Sequence, residues 1–122
     1  MLKNKILIVD DDSRNIFALS AVLKAKGYHC VSAAGGQEGL DLLAQDRDIT
    51  VVLMDMMMPG MDGYEAMAVM QTDPVLKDIP VIAVTAQAMV GDRERCLNAG
   101  ASGYVSKPIN VEELTGLLNL YI

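Results

Sequence analysis

Four consecutive apolar residues that end in a carboxylate constrain this chain more than any other feature. Residues 51–54, Val-Val-Leu-Met, are followed by Asp55 and then by the turn-forming Pro59 and Gly60. A short apolar run bounded by turn residues is typical of a strand buried on both faces, as in a parallel sheet. Ligands of open α/β sheets bind at the carboxyl ends of the strands. We therefore expect the functional chemistry at Asp55.

Three further apolar runs end in polar residues. The first ends at Asp10 and Asp11, a later one at Thr85, and a short one near the C-terminus at Lys107. Neighbouring strands lie about 4.8 Å apart, and the carboxyl ends of parallel strands share one edge. The pattern predicts that three carboxylates, Asp55 among them, converge there with one hydroxyl and one ammonium group.

The whole chain shows five strand patterns alternating with five helix patterns. This alternation predicts an α/β fold, a doubly wound five-stranded parallel sheet, with residues 1–122 as one domain. Right-handed crossovers favour the strand order 2-1-3-4-5. The predicted strands are 5–10, 28–33, 51–55, 79–85 and 102–106.

Cap residues mark several helix starts. Asp12 or Ser13 can cap the first helix, which is predicted to end near Lys26 with Leu19, Val22 and Leu23 in the core. Asp62 with Glu65 resembles a capping box of the third helix, and Asn110 with Glu113 is expected to cap the last one. The fourth helix is expected to carry Met89 and Leu97, and Thr85 could cap it.

Composition excludes some classes of function. The net charge of −6 argues against direct binding to nucleic acid or to an anionic membrane. No apolar run approaches the ~20 residues of a membrane span, and no signal peptide is apparent. Cys30 and Cys96 have no metal-site spacing, which favours two reduced, buried thiols and a cytoplasmic location.

Three carboxylates against one lysine repel one another unless a cation neutralises them. A hard divalent ion with oxygen ligands, Mg²⁺ or Mn²⁺, fits such a cluster. Asp55 could then act as a nucleophile toward a phosphoryl group. Thr85 and Lys107 would hold the phosphoryl oxygens by hydrogen bond and charge.

With these residues in view, the whole chain resembles the receiver domains of two-component response regulators, including the chemotaxis regulators. That family has a flavodoxin-like fold with the 2-1-3-4-5 order. The motifs are specific in combination, and each alone would be weak. They are Val9-Asp10-Asp11, Met54-Asp55, Met58-Pro59-Gly60-Met61-Asp62-Gly63, Thr85-Ala86 and Lys107-Pro108.

The resemblance implies a role for each site residue. Asp55 would be the phosphoacceptor, in a domain that assists its own phosphorylation and dephosphorylation and is not an enzyme in the usual sense. Asp10 and Asp11 would be metal-site acids, one bound directly and the other through water. The backbone carbonyl of Met57 would complete the metal ligands with Asp55.

The resemblance also implies a switch. Thr85 would be the switching hydroxyl, Lys107 the phosphate-binding ammonium, and Tyr104 the switch aromatic. The alternative is that Tyr104 is an ordinary half-buried strand residue. The Lys107-Pro108 bond is a candidate cis peptide.

The implied partner is a histidine kinase or a histidine phosphotransfer protein. It would dock near the first helix, where Ile16, Phe17 and Ala18 widen the apolar surface beyond one core stripe. The start of the chain also resembles receivers of hybrid sensor kinases, so this domain could belong to the cytoplasmic part of a membrane sensor. Glu112 and Glu113 without Lys or Arg in the last helix do not match the charged dimer face of the family's transcription factors, which leaves the oligomeric state open.

Two rival functions remain at this point. One is a Mg²⁺-dependent phosphatase of the haloacid dehalogenase kind, which also uses an aspartate nucleophile on an α/β sheet. In that class the nucleophile ends the first strand, whereas Asp55 ends the third. The other is a degenerate receiver that only binds partners, and the intact set of polar residues argues against it.

Overall fold

The computed structural model describes residues 4–86 and 90–122. Within them the chain forms a five-stranded parallel sheet in the order β2-β1-β3-β4-β5, with five helices. This confirms the predicted α/β fold and strand order. The elements are β1 Lys5–Val9, α1 Ser13–Ala25, β2 His29–Ala33, α2 Gly36–Gln45, β3 Ile49–Asp55, α3 Gly63–Thr72, β4 Val81–Thr85, α4 Asp92–Asn98, β5 Gly103–Ser106 and α5 Val111–Leu118.

Both faces of the sheet are covered, which is why its central strands are apolar throughout. One face packs on α1 and α5 through a cluster that includes Leu23, Leu114 and Leu118. The other packs on α2, α3 and α4 through a cluster that includes Leu43 and Met67. Because β3 lies at the centre of the sheet, its last residue is held between two neighbouring strands.

Side-chain caps fix three helix starts near the carboxyl edge of the sheet. Asp12 accepts a hydrogen bond from the amide of Arg14, and Asn110 accepts one from the amide of Glu113. Asp62 forms the predicted capping box of α3. Each cap satisfies amide groups that the first helical turn leaves without partners. The loops that surround Asp55 therefore run directly into anchored helices.

Sheet pairing moves some strand ends from their predicted positions. β3 starts two residues earlier than expected because Ile49 pairs with Lys5 of β1. β4 starts at Val81, which pairs with Val52, and not at residue 79. Pro80, just before it, has no amide hydrogen to donate to a sheet. Short apolar runs therefore predict where the strands lie but not the residue at which each strand begins.

The prediction for the fourth helix was partly wrong. α4 begins at Asp92, and its N-cap is Gly91, whose φ of 86° is in the left-handed region that favours glycine. Thr85 therefore does not cap this helix. Met89 lies outside the described residues.

The prediction that both cysteines are buried was also partly wrong. Cys96 is buried in α4, but Cys30 is only half-buried. Cys30 lies on β2, an edge strand that pairs with β1 alone. An edge strand has less cover than a central one, and this explains the exposure.

Candidate functional site

Asp55 is the last residue of β3 and is almost completely buried, with 5 % of its surface exposed. Its Oδ1 accepts a hydrogen bond from the amide of Met57 at 3.0 Å. This bond turns the chain sharply after the strand and fixes the orientation of the carboxylate. One carboxylate oxygen is thus engaged by the backbone.

Asp10 lies beside Asp55 because Val9 of β1 pairs with Met54 of β3, and each carboxylate comes one residue later. Asp10 is 6 % exposed, and its Oδ1 accepts a hydrogen bond from the amide of Asp12 at 2.8 Å. Asp11 is exposed. Carboxylate oxygens of Asp10, Asp11 and Asp55 all lie within 4.8 Å of one another. The structure therefore brings the three predicted acids together.

Lys107 reaches this cluster from the end of β5. Its Nζ lies 3.5 Å from Oδ2 of Asp10 and 3.7 Å from Oδ2 of Asp55. The bond between Lys107 and Pro108 is cis, as the sequence allowed. The amide of Lys107 donates to the carbonyl of Thr85 at 2.7 Å. The ammonium group thus stands between two buried carboxylates.

Burial is the main influence on the ionisation of Asp55. Loss of solvent raises the pKa of the Asp55 carboxyl, and the nearby charges of Asp10 and Asp11 raise it further. The Met57 amide and the Lys107 ammonium act in the opposite direction, but the pKa stays above its usual range. Ionisation of Asp55 therefore costs more free energy in the folded protein than it would in water.

The acidic cluster is suited to a hard divalent cation. Three carboxylates with one ammonium leave two uncompensated negative charges, and Mg²⁺ prefers oxygen ligands of this kind. One of the three acids, Asp11, is open to solvent, which suits an ion that keeps several of its waters. The residues present thus fit the expected ion.

Thr85 and Tyr104 lie on the two strands beyond β3. Thr85 ends β4 and is 2 % exposed. Tyr104 is half-buried on β5, and its hydroxyl donates to Oδ2 of Asp92 at 2.9 Å. Burial, and then this hydrogen bond to a carboxylate, raise the pKa of Tyr104 to about 12. The contact between Tyr104 and Asp92 was not predicted from the sequence.

A cavity of about 310 Å³ adjoins the acidic cluster and lies between α1 and the loop before α5. Its polar lining residues are Asp10, Asn15, Asp55 and Lys107, and the others are apolar. Val22 lines this cavity and is exposed, so its predicted place in the core was wrong. The apolar spacing of α1 signalled a buried face, but part of that face borders the cavity.

The expectation of exposed apolar residues on the first helix is confirmed. Phe17 is 76 % exposed, and Ala18, which also lines the cavity, is exposed. Ile16 is partly buried against the core. Exposed apolar residues beside the acidic cluster make this part of α1 a candidate binding surface.

Comparison with known proteins agrees with this site. The family model of the response regulator receiver domain matches residues 6–119. The polar-differentiation response regulator DivK of Brucella ovis is 36 % identical over 121 residues, which cover 99 % of this chain and 98 % of that protein.

Solved structures show the same similarity. The chemotaxis protein CheY4 of Vibrio cholerae is 28 % identical, with a TM-score of 0.87 and 98 % of each chain covered. The receiver domain of the sensor histidine kinase PA1611 of Pseudomonas aeruginosa is 34 % identical, with a TM-score of 0.86 and 96 % of this chain and 95 % of that chain covered. In that structure a magnesium ion is coordinated in the active-site cleft.

These matches favour a signalling receiver over a phosphatase of the haloacid dehalogenase kind. In the described residues, no helix combines the length and the apolar character needed to cross a membrane. The polar edge of the sheet, the extent of the family match and the likeness to DivK and CheY4 agree, and the chain belongs to the response regulator receiver domain family.

Proposed function

We propose that Asp55 accepts a phosphoryl group and that the chain works as a phosphorylation-controlled signalling module. One observation carries the proposal. A buried carboxylate with a raised pKa lies beside Lys107 and two further acids at the carboxyl edge of the sheet. A reactive group whose ionisation is perturbed by burial and by specific charges is a candidate functional residue.

In the proposed reaction, a carboxylate oxygen of Asp55 attacks the phosphorus of a phosphohistidine. A P–O bond forms as the P–N bond breaks, and the imidazole nitrogen leaves with the electron pair. Oδ2 is suited to the attack because the Met57 amide already engages Oδ1. Lys107 then neutralises charge on the transferred group, and the Thr85 hydroxyl donates to one of its oxygens.

Asp10, Asp11, Asp55 and the backbone carbonyl of Met57 would hold Mg²⁺ or Mn²⁺. The bound ion supplies charge neutralisation for the phosphoryl oxygens. The chain contributes the positions of the acids, since the amide of Asp12 orients Asp10 as that of Met57 orients Asp55. Both orienting bonds come from the turns that follow the strands.

Each phosphorylation modifies the protein itself, so the domain assists its own phosphorylation and dephosphorylation and does not turn over a pool of substrate. Residues 1–122 act as one unit in this proposal. The proposed reaction takes place in the cytoplasm, either in a free domain or in the cytoplasmic part of a membrane sensor kinase.

The donor, a histidine kinase or a histidine phosphotransfer protein, would dock on α1. Phe17 and Ala18 are exposed there, and Ala18 lines the cavity that Asp55 also borders. A partner that packs on this surface would bring its phosphohistidine to the mouth of the site. It would also exclude water from the reaction.

Phosphorylation would act as a switch through Thr85 and Tyr104. A hydrogen bond from Thr85 to the phosphoryl group draws the end of β4 toward Asp55 and lets Tyr104 turn inward. The phosphoryl group shifts this equilibrium only by its differential affinity for the two arrangements. The changed surface then alters partner binding.

The test is the intact mass of the domain after incubation with Mg²⁺ and a small acyl phosphate. The wild type should gain one phosphoryl group, and Asp55→Asn should gain none. Asp78→Asn, a change of an exposed acid, is the matched control and should react like the wild type. Phosphorylation of Asp55→Asn at the wild-type rate would refute the assignment, and sustained hydrolysis of a phosphate ester by the wild type would favour the phosphatase.

A further inference from the structure

Helix α4 is weakly anchored in the fold. It has seven residues, of which Cys96 is the single buried one, and its N-cap Gly91 offers no side-chain hydrogen bond. Few buried apolar contacts mean a low free energy of local opening. The contacts that α4 does make should therefore control its position.

Two tyrosines from neighbouring elements supply such contacts. The hydroxyl of Tyr104 on β5 donates to Asp92, the first residue of α4. The hydroxyl of Tyr64 on α3 lies 3.5 Å from Sγ of Cys96. Asp92 and Cys96 are four residues apart and lie on the same face of the helix. Two consecutive turns of α4 are thus each held by one phenol.

The Tyr64 contact is reinforced by the neighbouring residue of the helix. The guanidinium of Arg95 lies over the Tyr64 ring, 4.6 Å from its centroid. A cation in this position is attracted by the face of the ring. Tyr64 is therefore a firm contact between α3 and α4, which leaves the start of α4 as its less restrained end.

Resting on the function proposed above, we propose that Asp92 is a latch: it holds Tyr104, and with it the start of α4, in the unphosphorylated arrangement. Tyr104 cannot keep its bond to Asp92 when its ring turns inward. The bond is therefore made in one state of the switch and lost in the other. An interaction made in only one state biases the equilibrium toward that state. Asp92 is a positioning residue in this account, since it acts through Tyr104.

The experiment measures the affinity of the domain for beryllofluoride, a phosphoryl mimic, in the presence of Mg²⁺. Asp92→Ala should bind it several-fold and up to about tenfold more tightly, the scale of the net contribution of one ordinary hydrogen bond. Tyr104→Phe keeps the ring but removes the donor, and should show a similar gain. Glu94→Ala removes an exposed acid from the same helical turn and should match the wild type, which controls for charge and helix propensity.

Two further measurements separate a latch from a general loosening of the fold. The Asp92→Ala, Tyr104→Phe double variant should gain no more than either single variant, because both remove the same bond. In the absence of the mimic, the amides of residues 92–95 should exchange hydrogen faster in Asp92→Ala than in Glu94→Ala.

The latch is refuted if Asp92→Ala and Tyr104→Phe bind beryllofluoride as Glu94→Ala does, or more weakly. Additive gains in the double variant would also refute it. If the proposed function itself is wrong, the result is different, because the wild type would then not bind beryllofluoride in the presence of Mg²⁺.

Discussion

The amide of Gly63, the first residue of α3, donates a hydrogen bond to the carbonyl oxygen of Met56, the residue that follows Asp55. The two backbones approach so closely that a Cβ atom at Gly63 would lie 2.8 Å from Cα of Met56 and 2.9 Å from the carbonyl oxygen of Asp55. The start of α3 and the end of β3 therefore form one rigid junction. Glycine is needed at this position because a side chain would have no room. Its backbone conformation is not the reason, since any residue can adopt it.

Gly63→Ala should displace the Asp55 loop and slow phosphorylation by a small acyl phosphate. Overpacking of this kind destabilises a fold by typically 1–3 kcal/mol. Gly116→Ala is the matched control, because it introduces the same methyl group into a helix where nothing lies within 4 Å. That change should be neutral or stabilise the fold by up to about 1 kcal/mol. Urea unfolding and phosphorylation rates check both expectations, and equal behaviour of the two variants would contradict the account of the junction.

Phe17→Glu should slow transfer from a phosphotransfer protein much more than transfer from a small acyl phosphate. The change introduces a charge into the exposed apolar surface of α1 but leaves the buried site intact. Val69→Glu places the same charge on an exposed apolar position of α3, on the other face of the sheet, and is the control. Transfer rates with the two donors give the comparison. Equal slowing with both donors, or equal effects of the two variants, would argue against docking on α1.

Residues of the site differ in how far sequence alone could place them. Asp55 ends β3, and Asp10 and Lys107 directly follow β1 and β5, so the topology of the sheet brings all three to one edge. Asp92 could not be placed in this way, because its contact with Tyr104 depends on where α4 begins. A left-handed glycine sets that start, and apolar periodicity contains no sign of it. The cavity beside α1 was missed for a similar reason, since it depends on how α1 and the loop before α5 are spaced.

Tyr64 and Tyr104 should ionise only near pH 12, where burial and their hydrogen bonds place the pKa of each phenol. Both values lie above the ordinary value of 10, so neutral phenols stabilise the fold. That stability is fully present below pH 10 and is lost as the pH rises toward 12. Absorbance of tyrosinate during an alkaline titration measures this. Asp92→Asn should lower the pKa of Tyr104 only in part, because burial is the larger cause. If Tyr104→Phe gave the same tyrosinate titration as the wild type, the pKa assigned to Tyr104 would be wrong.

Asp55→Asn should stabilise the metal-free domain although most substitutions destabilise. It removes a buried carboxylate whose charge is disfavoured by burial and by Asp10 and Asp11, and it keeps the shape of the side chain. For a domain of this size, each 1 kcal/mol gained should raise the melting temperature by about 4 °C.

Mg²⁺ should stabilise the wild type, by about 1.4 kcal/mol at ten times its Kd if it binds only the folded state. Mg²⁺ should stabilise Asp55→Asn less than the wild type, because one hard oxygen ligand is lost. Melting curves of the wild type, Asp55→Asn and the exposed control Asp78→Asn, each with Mg²⁺ and with chelator, separate the two effects. If metal-free Asp55→Asn melts below the wild type, the carboxylates are not in net repulsion. If Mg²⁺ leaves the wild type unchanged, the acidic cluster is not the cation site proposed here.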